Sequence, residues 1–243
     1  MDTRLHLVLG PTGVGKTARS VELAHLLSCP VIVLDRIQCH PELTVGSGRP
    51  AEEELKGTRR VYLNHRPLTE GIINAAECVD ALTATLARTS HSDVILEGGS
   101  ISMLRELTRR TDWYAGRSLT AECWLEGDPG RYEAQVERRV QRMLGYGEPG
   151  RSLVDELADL WPIEVVRPYV ASVVGYQEVL EICERQGLNP TMLRGLTGRL
   201  WRYQFVQEVL AAHLAYSCQQ RQEMAATLQA LTERGAEVTL CEI

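Results

Sequence analysis

Apolar positions fall into short clusters separated by polar and glycine-rich stretches. Leu5, Leu7, Val8 and Leu9 form the first, interrupted by His6 and closed by Gly10. A run this short, ending in glycine, predicts a buried strand of a parallel sheet. Residues 18–27 follow with helical composition, Leu23, Leu26 and Leu27 being spaced for one face. Residues 30–35 (PVIVLD) are β-branched and predict a second strand, parallel to the first across a βαβ crossover. Residues 93–97 (DVILE) and 118–125 predict further strands. Helical spacing spans residues 75–89, with Cys78, Val79, Leu82 and Leu86 apolar, and residues 101–107.

The character changes after Asp128-Pro129-Gly130. Residues 131–144 predict a helix with Val136, Val140, Met143 and Leu144 on its apolar side. Residues 152–160 predict another, opened by Ser152, with Glu156 four residues on, close to capping-box spacing but not at it. Residues 168–184, interrupted near Gly175-Tyr176, and 192–231 are also helical in pattern, and 237–243 alternate as a late strand. The expected class is α/β: a P-loop NTPase-like parallel sheet flanked by helices in residues 1–128, with a smaller, mainly helical domain in residues 129–243. Residues 36–69 are irregular and rich in Gly, Pro, Thr and Arg. That is too long for a plain connector, so a lid or a functional loop is expected there.

Length and composition narrow this little. The 243 residues suffice for one large domain, or a main domain and a small one, and 44% hydrophobic with 24% charged residues is ordinary for a globular protein. A net charge of -6 weighs against a large nucleic-acid footprint. The seven cysteines form no CxxC pair, and no run approaches membrane-spanning length. Free thiols, no membrane partner and a cytoplasmic location are the expectation.

The chemistry starts where the first strand ends. Gly10 to Thr17 (GPTGVGKT) fits G-x-x-x-x-G-K-[ST], a phosphate-binding loop between strand and helix. Gly10, Gly13 and Gly15 permit backbone angles and close approach that a side chain blocks. The loop amides and the following helix N-terminus then face an anion. Lys16 adds a full charge, and the Thr17 hydroxyl suits a magnesium ion. The loop says that a phosphate or diphosphate binds. It does not say what happens to it. In such sheets ligands lie beyond the carboxyl ends of the strands, which places Asp35 nearby. An aspartate there suits a metal, a substrate hydroxyl or amine, a base, or merely a turn cap. Glu97, at the end of the third strand, is the other carboxylate in range.

Several segments together carry a resemblance. They are Gly10 to Thr17, Leu34-Asp35-Arg36-Ile37-Gln38-Cys39, Gly46-Ser47-Gly48-Arg49-Pro50, Arg66-Pro67-Leu68-Thr69-Glu70-Gly71-Ile72, and Leu96-Glu97-Gly98-Gly99-Ser100-Ile101-Ser102. They resemble the bacterial adenylate dimethylallyltransferases, the AMP isopentenyltransferases of cytokinin synthesis in plant-associated bacteria. Arg138-Arg139-Val140-x-x-Met143-Leu144 and Gly175-Tyr176 are similar too. The likeness covers residues 5 to about 185 well and the rest loosely.

The resemblance implies prenyl transfer from dimethylallyl diphosphate to the exocyclic amine of AMP, the first step of cytokinin synthesis. The diphosphate is expected on Gly10, Thr12, Gly13, Gly15, Lys16 and Thr17, with Mg2+ at Thr17 and charge from Arg139. Asp35 matches the family's acid, which takes the amine proton. Thr12, Lys16 and Arg139 would stabilise the leaving diphosphate. Ser47 and Arg49 are expected to contact AMP, with Arg36 and Gln38 flanking the base. Ser100, at a helix start, suits either the AMP phosphate or an N-cap. Val174, Tyr176 and His213 are expected near the prenyl tail. The family commonly has an aspartate where this chain has Val174, which implies a preference for dimethylallyl diphosphate over its hydroxylated analogue. The competing readings are a tRNA dimethylallyltransferase, a small-molecule kinase on the same loop, and a non-catalytic nucleotide-binding module.

Overall fold

The computed structural model describes residues 3–146, 150–195 and 199–242. Six strands form one parallel sheet in the order β3-β2-β4-β1-β5-β6. They are β1 (Arg4–Leu9), β2 (Val31–Leu34), β3 (Arg60–Tyr62), β4 (Asp93–Gly98), β5 (Leu119–Leu125) and β6 (Glu237–Glu242). In register, Leu9 lies beside Gly98 and Leu34 beside Gly98, so the three central strands end level. The turns that follow them, at Gly10, Asp35 and Gly99, therefore share one edge.

Alternation along the strands divides the core between two faces. On one face Leu5, Leu7, Leu9, Ile32, Leu34, Val94 and Leu96 pack against α3 (Ala75–Arg88), α4 (Ile101–Arg109) and the distal part of α9 (Arg199–Glu233), through Met224, Leu228 and Leu231. On the other face Val8, Val31 and Ile95 meet α1 (Lys16–Leu27) through Leu23 and Ala24. Leu26, expected on that buried side, is 76% exposed instead. The inner face of α1 is Ser20, Val21, Leu23 and Ala24, because the buried Ser20 hydroxyl has a carboxylate partner, Glu97.

The helical half contains α5 (Pro129–Met143), α6 (Leu153–Leu160), α7 (Arg167–Val170), α8 (Tyr176–Arg185) and the proximal part of α9, around a second apolar core. Asp128 caps α5, accepting from the Gly130 and Arg131 amides with Pro129 in the first turn. The break near Gly175 is present: Gly175 has φ +99 and starts α8. The long helix begins at Arg199, later than residue 192, after a 3-10 turn at Pro190–Gly195. The box at the start of α6 pairs Ser152 with Asp155, not Glu156. The tail, grouped by sequence with the helical half, returns to the sheet beside β5. The helical segments thus lie between two neighbouring strands of one sheet. Residues 36–69, expected to be irregular, include α2 (Glu52–Leu55) and the edge strand β3.

Candidate active site

At the end of β1 the backbone folds into a tight loop. Gly13 and Gly15 have φ of +83 and +98, which favours glycine. A Cβ at Gly10 would lie 2.8 Å from the Trp124 carbonyl oxygen. Lys16 Nζ donates to the Pro11 carbonyl at 2.8 Å, and burial lowers its pKa to about 8. Three side chains from the helical half brace the loop. Gln220 accepts from the Thr12 amide at 2.9 Å and donates to the Gly99 carbonyl at 2.7 Å, tying the turns after β1 and β4 together. The Tyr132 hydroxyl lies 2.7 Å from both the Thr12 carbonyl and Ser217 Oγ, and can donate to one at a time.

The Thr17 hydroxyl donates to Glu97 Oε1 at 3.1 Å. The other Glu97 oxygen receives Ser20 Oγ and, at 2.8 Å, Arg60 Nη1. Burial pushes the Glu97 pKa up, but the charge and hydrogen bond of Arg60 outweigh it and leave it below the ordinary carboxylate range. Both side chains of this pair are nearly inaccessible, at 2% and 7%.

Asp35 follows β2 directly. Its Oδ1 accepts from the Ile37 amide at 2.9 Å, so it does cap a turn, and the same bond fixes its carboxylate in the cleft wall. Burial raises its pKa. Arg139 approaches from α5. It continues the inward stripe of Tyr132, Val136 and Met143, while Arg138 and Arg142 stay exposed. Burial lowers the Arg139 pKa, the nearby Arg142 adds to the effect, and Arg139 Nε is buried without a partner. The segment 46–49 closes the cleft. Gln38 Nε2 donates to the Ser47 carbonyl at 3.3 Å, Arg49 donates to the Gln38 carbonyl, and the Arg49 guanidinium lies 4.2 Å over the Tyr62 ring.

These groups surround one open cleft of ≈ 1000 Å³. Thr12, Gly13, Gly15, Lys16, Thr17, Asp35, Gln38, Ser47, Arg49, Ser100 and Arg139 all line it. The cations Lys16, Arg49, Lys56, Arg139, Arg142 and Arg151 outnumber the carboxylates Asp35, Glu54 and Glu97, which suits an anionic occupant. Ser100 starts α4 without a side-chain cap bond, leaving its hydroxyl 3.4 Å from Ser102 Oγ. Other expected residues lie elsewhere. Gly10 forms the back of the loop. Arg36 turns away to Ser102 Oγ at 3.2 Å and the Ile73 carbonyl at 3.4 Å. Val174 is half-buried, and Tyr176 and His213 are buried in the helical half, none of them among the cleft's lining residues. His213 keeps both ring nitrogens unpartnered, and burial lowers its pKa to about 3.

The profile described as "Isopentenyl transferase" matches residues 3–234. The chain belongs to the isopentenyl transferase family. It is an enzyme of the prenyltransferase class. An adenylate dimethylallyltransferase of Allorhizobium ampelinum is 36% identical over 220 residues, covering 90% of this chain and 93% of the relative. One from Agrobacterium tumefaciens (strain T37) is 34% identical, covering 90% of each chain. The tRNA isopentenylpyrophosphate transferase of Bacillus halodurans has the same fold, with a TM-score of 0.70 at 16% identity over 98% of this chain and 89% of that one. A eukaryotic dimethylallyltransferase acting on tRNA superposes with a TM-score of 0.63 at 15% identity, over 99% of this chain and 74% of that one.

The sequence pattern did not single out Tyr132, Ser217, Gln220 or Arg60, and marked Glu156 only for its place near a helix start. Tyr132 was available as part of the inward stripe of α5. The polar residues of α9 offered a weaker signal: Ser217 and Gln220 are spaced with His213 and Met224 at intervals of three and four, on a buried face.

Proposed function

We propose that this cleft transfers the dimethylallyl group of dimethylallyl diphosphate to the N6 amine of AMP. The products are N6-(dimethylallyl)adenosine 5'-phosphate and diphosphate. One observation carries the reading: of the cleft's three carboxylates, Asp35 alone has no ion-pair partner among the described residues, and it shares the cleft with a phosphate loop and two desolvated cations, Lys16 and Arg139. The ends of β1 and β2 are separated by one strand, hence roughly 10 Å apart. That span suits a diphosphate in the loop and a purine amine at Asp35, with the prenyl C1 between them.

In this reading the N6 lone pair attacks C1 as the C1–O bond breaks, and the N6 proton passes to Asp35. The raised pKa of Asp35 suits a proton acceptor. The bond from Ile37 fixes the carboxylate before the substrate arrives, and positioning of this kind lowers the barrier. Charge builds on the departing diphosphate. Lys16, released from the Pro11 carbonyl, the loop amides and Arg139 meet it. The unpartnered Arg139 Nε and Gln38 Oε1 are a donor and an acceptor awaiting a ligand in the same cleft.

Magnesium fits the donor set beside the loop. The Thr17 hydroxyl and the anionic Glu97 are both hard oxygen groups, and no cluster of three or more ligating side chains occurs among the described residues. An ion taking most of its ligands from diphosphate and water suits that sparse set. It would neutralise charge on the leaving group.

The test is incubation with dimethylallyl diphosphate and either AMP or unmodified tRNA, with products read by mass. A dimethylallyl adduct of AMP supports the reading. Label in tRNA with AMP untouched overturns it in favour of the tRNA enzyme, and phosphorylated product from ATP would point to a kinase.

A further inference from the structure

Glu156 stands in the first turn of α6, one position beyond the residue that completes the capping box. There it is wholly buried. Its carboxylate gathers four neutral donors: Thr44 Oγ1 at 2.6 Å, the Val45 amide at 2.9 Å, the Gly46 amide at 3.0 Å and the Tyr176 hydroxyl. Several N–H and O–H donors converging on one carboxylate are what keep a buried anion in place.

Three of the four donors belong to residues immediately before Ser47. The segment beyond them is coiled onto the same stretch. The Ser47 amide donates to the Leu43 carbonyl at 3.3 Å, Gly48 to Val45 at 2.9 Å, and Arg49 to Thr44 at 3.0 Å. Holding residues 44–46 therefore holds residues 47–49. The fit is tight on both sides. A Cβ on Gly46 would lie 2.1 Å from the Tyr176 ring, and one on Gly48 would lie 1.7 Å from Arg139 Nη2. Gly48 has φ +66, so two constraints meet at that position.

We propose that Glu156, with Tyr176 behind it, is a positioning residue. It presets the 44–49 segment from the helical half, so that Ser47 and Arg49 meet the acceptor nucleotide and the Arg139 guanidinium keeps its seat against Gly48. The proposal rests on the acceptor reading given above. It assigns Tyr176 to holding the acceptor loop, away from the prenyl tail.

The test is Glu156→Gln. An amide offers one acceptor oxygen and two hydrogens, so at least one donor of the set is left facing N–H groups. The expected result is a KM for AMP at least about tenfold higher, with the KM for dimethylallyl diphosphate within about twofold of the parent. Thr44→Val and Tyr176→Phe each remove one of the four donors and should raise the AMP KM less, and Ser47→Ala should add little on top of Glu156→Gln. Hydrogen exchange at the Val45 and Gly46 amides needs no substrate and should quicken in Glu156→Gln and, more weakly, in Thr44→Val. Unchanged exchange overturns the clamp, as does a parallel rise in both KM values. A parent protein that fails to prenylate AMP overturns the acceptor reading instead, and the exchange result still decides the clamp. If Glu156→Gln does not fold, Thr44→Val and Tyr176→Phe carry the same two measurements.

Discussion

Replacing Asp35 by asparagine separates the turn bond its carboxylate makes from the proton transfer proposed for it. The turn job survives, because an asparagine oxygen still accepts the Ile37 amide now held at 2.9 Å. The proton job does not, since a neutral amide cannot take the N6 proton. Removing a positioned base typically slows chemistry by about 10²–10⁴-fold, or about 2.7–5.4 kcal/mol of barrier. Stability should move the other way. Burial raises the Asp35 pKa, so the folded protein holds that proton more tightly than the unfolded chain does. Such a group favours folding most below its unfolded pKa, and the benefit fades as pH rises through the folded pKa. At pH above the folded pKa the ionised carboxylate is thus a burden that asparagine lacks, and Tm there should be equal to or above that of the parent. The assay is single-turnover conversion of AMP with excess dimethylallyl diphosphate, beside a thermal melt. Turnover within twofold of the parent removes Asp35 from the chemistry. A rate loss accompanied by a fall of several degrees in Tm would make the residue a structural cap instead.

Lys16 sets the alkaline limb of the pH profile. Its pKa is lowered to about 8, so the free enzyme loses this charge as pH rises through that value, and kcat/KM for the diphosphate substrate should fall there; a profile flat through pH 8 and beyond refutes it. With Asp35 as the proposed base, the acid limb should lie above that of an ordinary carboxylate. Arg60→Leu leaves the buried Glu97 without its cation, and breaking such a pair costs about 3–5 kcal/mol, or about 6–20 °C in Tm by calorimetry; a melt within a degree of the parent would show that the pair is dispensable.

The sheet was legible because strand clusters such as Leu5 to Leu9 and the run 93–97 are short, apolar and bounded by glycine. β3 was not, since Arg60-Val61-Tyr62 is three residues of mixed polarity at a sheet edge, defined only by its pairing with β2. The phosphate loop and Asp35 announced themselves through local spacing and strand ends. Arg139 was placed by resemblance, and the inward stripe of α5 supplies the physical reason. The role of Glu156 was invisible for the opposite cause. Its partners Thr44, Val45 and Gly46 lie more than a hundred residues away in the chain, and the local pattern offered only a first-turn acid. Gln220 was hidden likewise, because what makes it matter is a loop 208 residues upstream.

That last separation has a consequence for how the enzyme comes into being. Synthesis runs from N- to C-terminus, so the phosphate loop leaves the ribosome about 208 residues ahead of Gln220, its brace on α9. The helix carrying Gln220 is itself docked on the sheet through Met224, Leu228 and Leu231, and the strand after it zips onto β5. Contacts of such long range form slowly, after the entropy of a very large loop has been overcome. A nascent chain lacking α9 owns the glycine motif but not its finished shape. Competence for diphosphate should therefore switch on late in translation, and ribosome-stalled chains ending before residue 220 should bind it weakly, if at all.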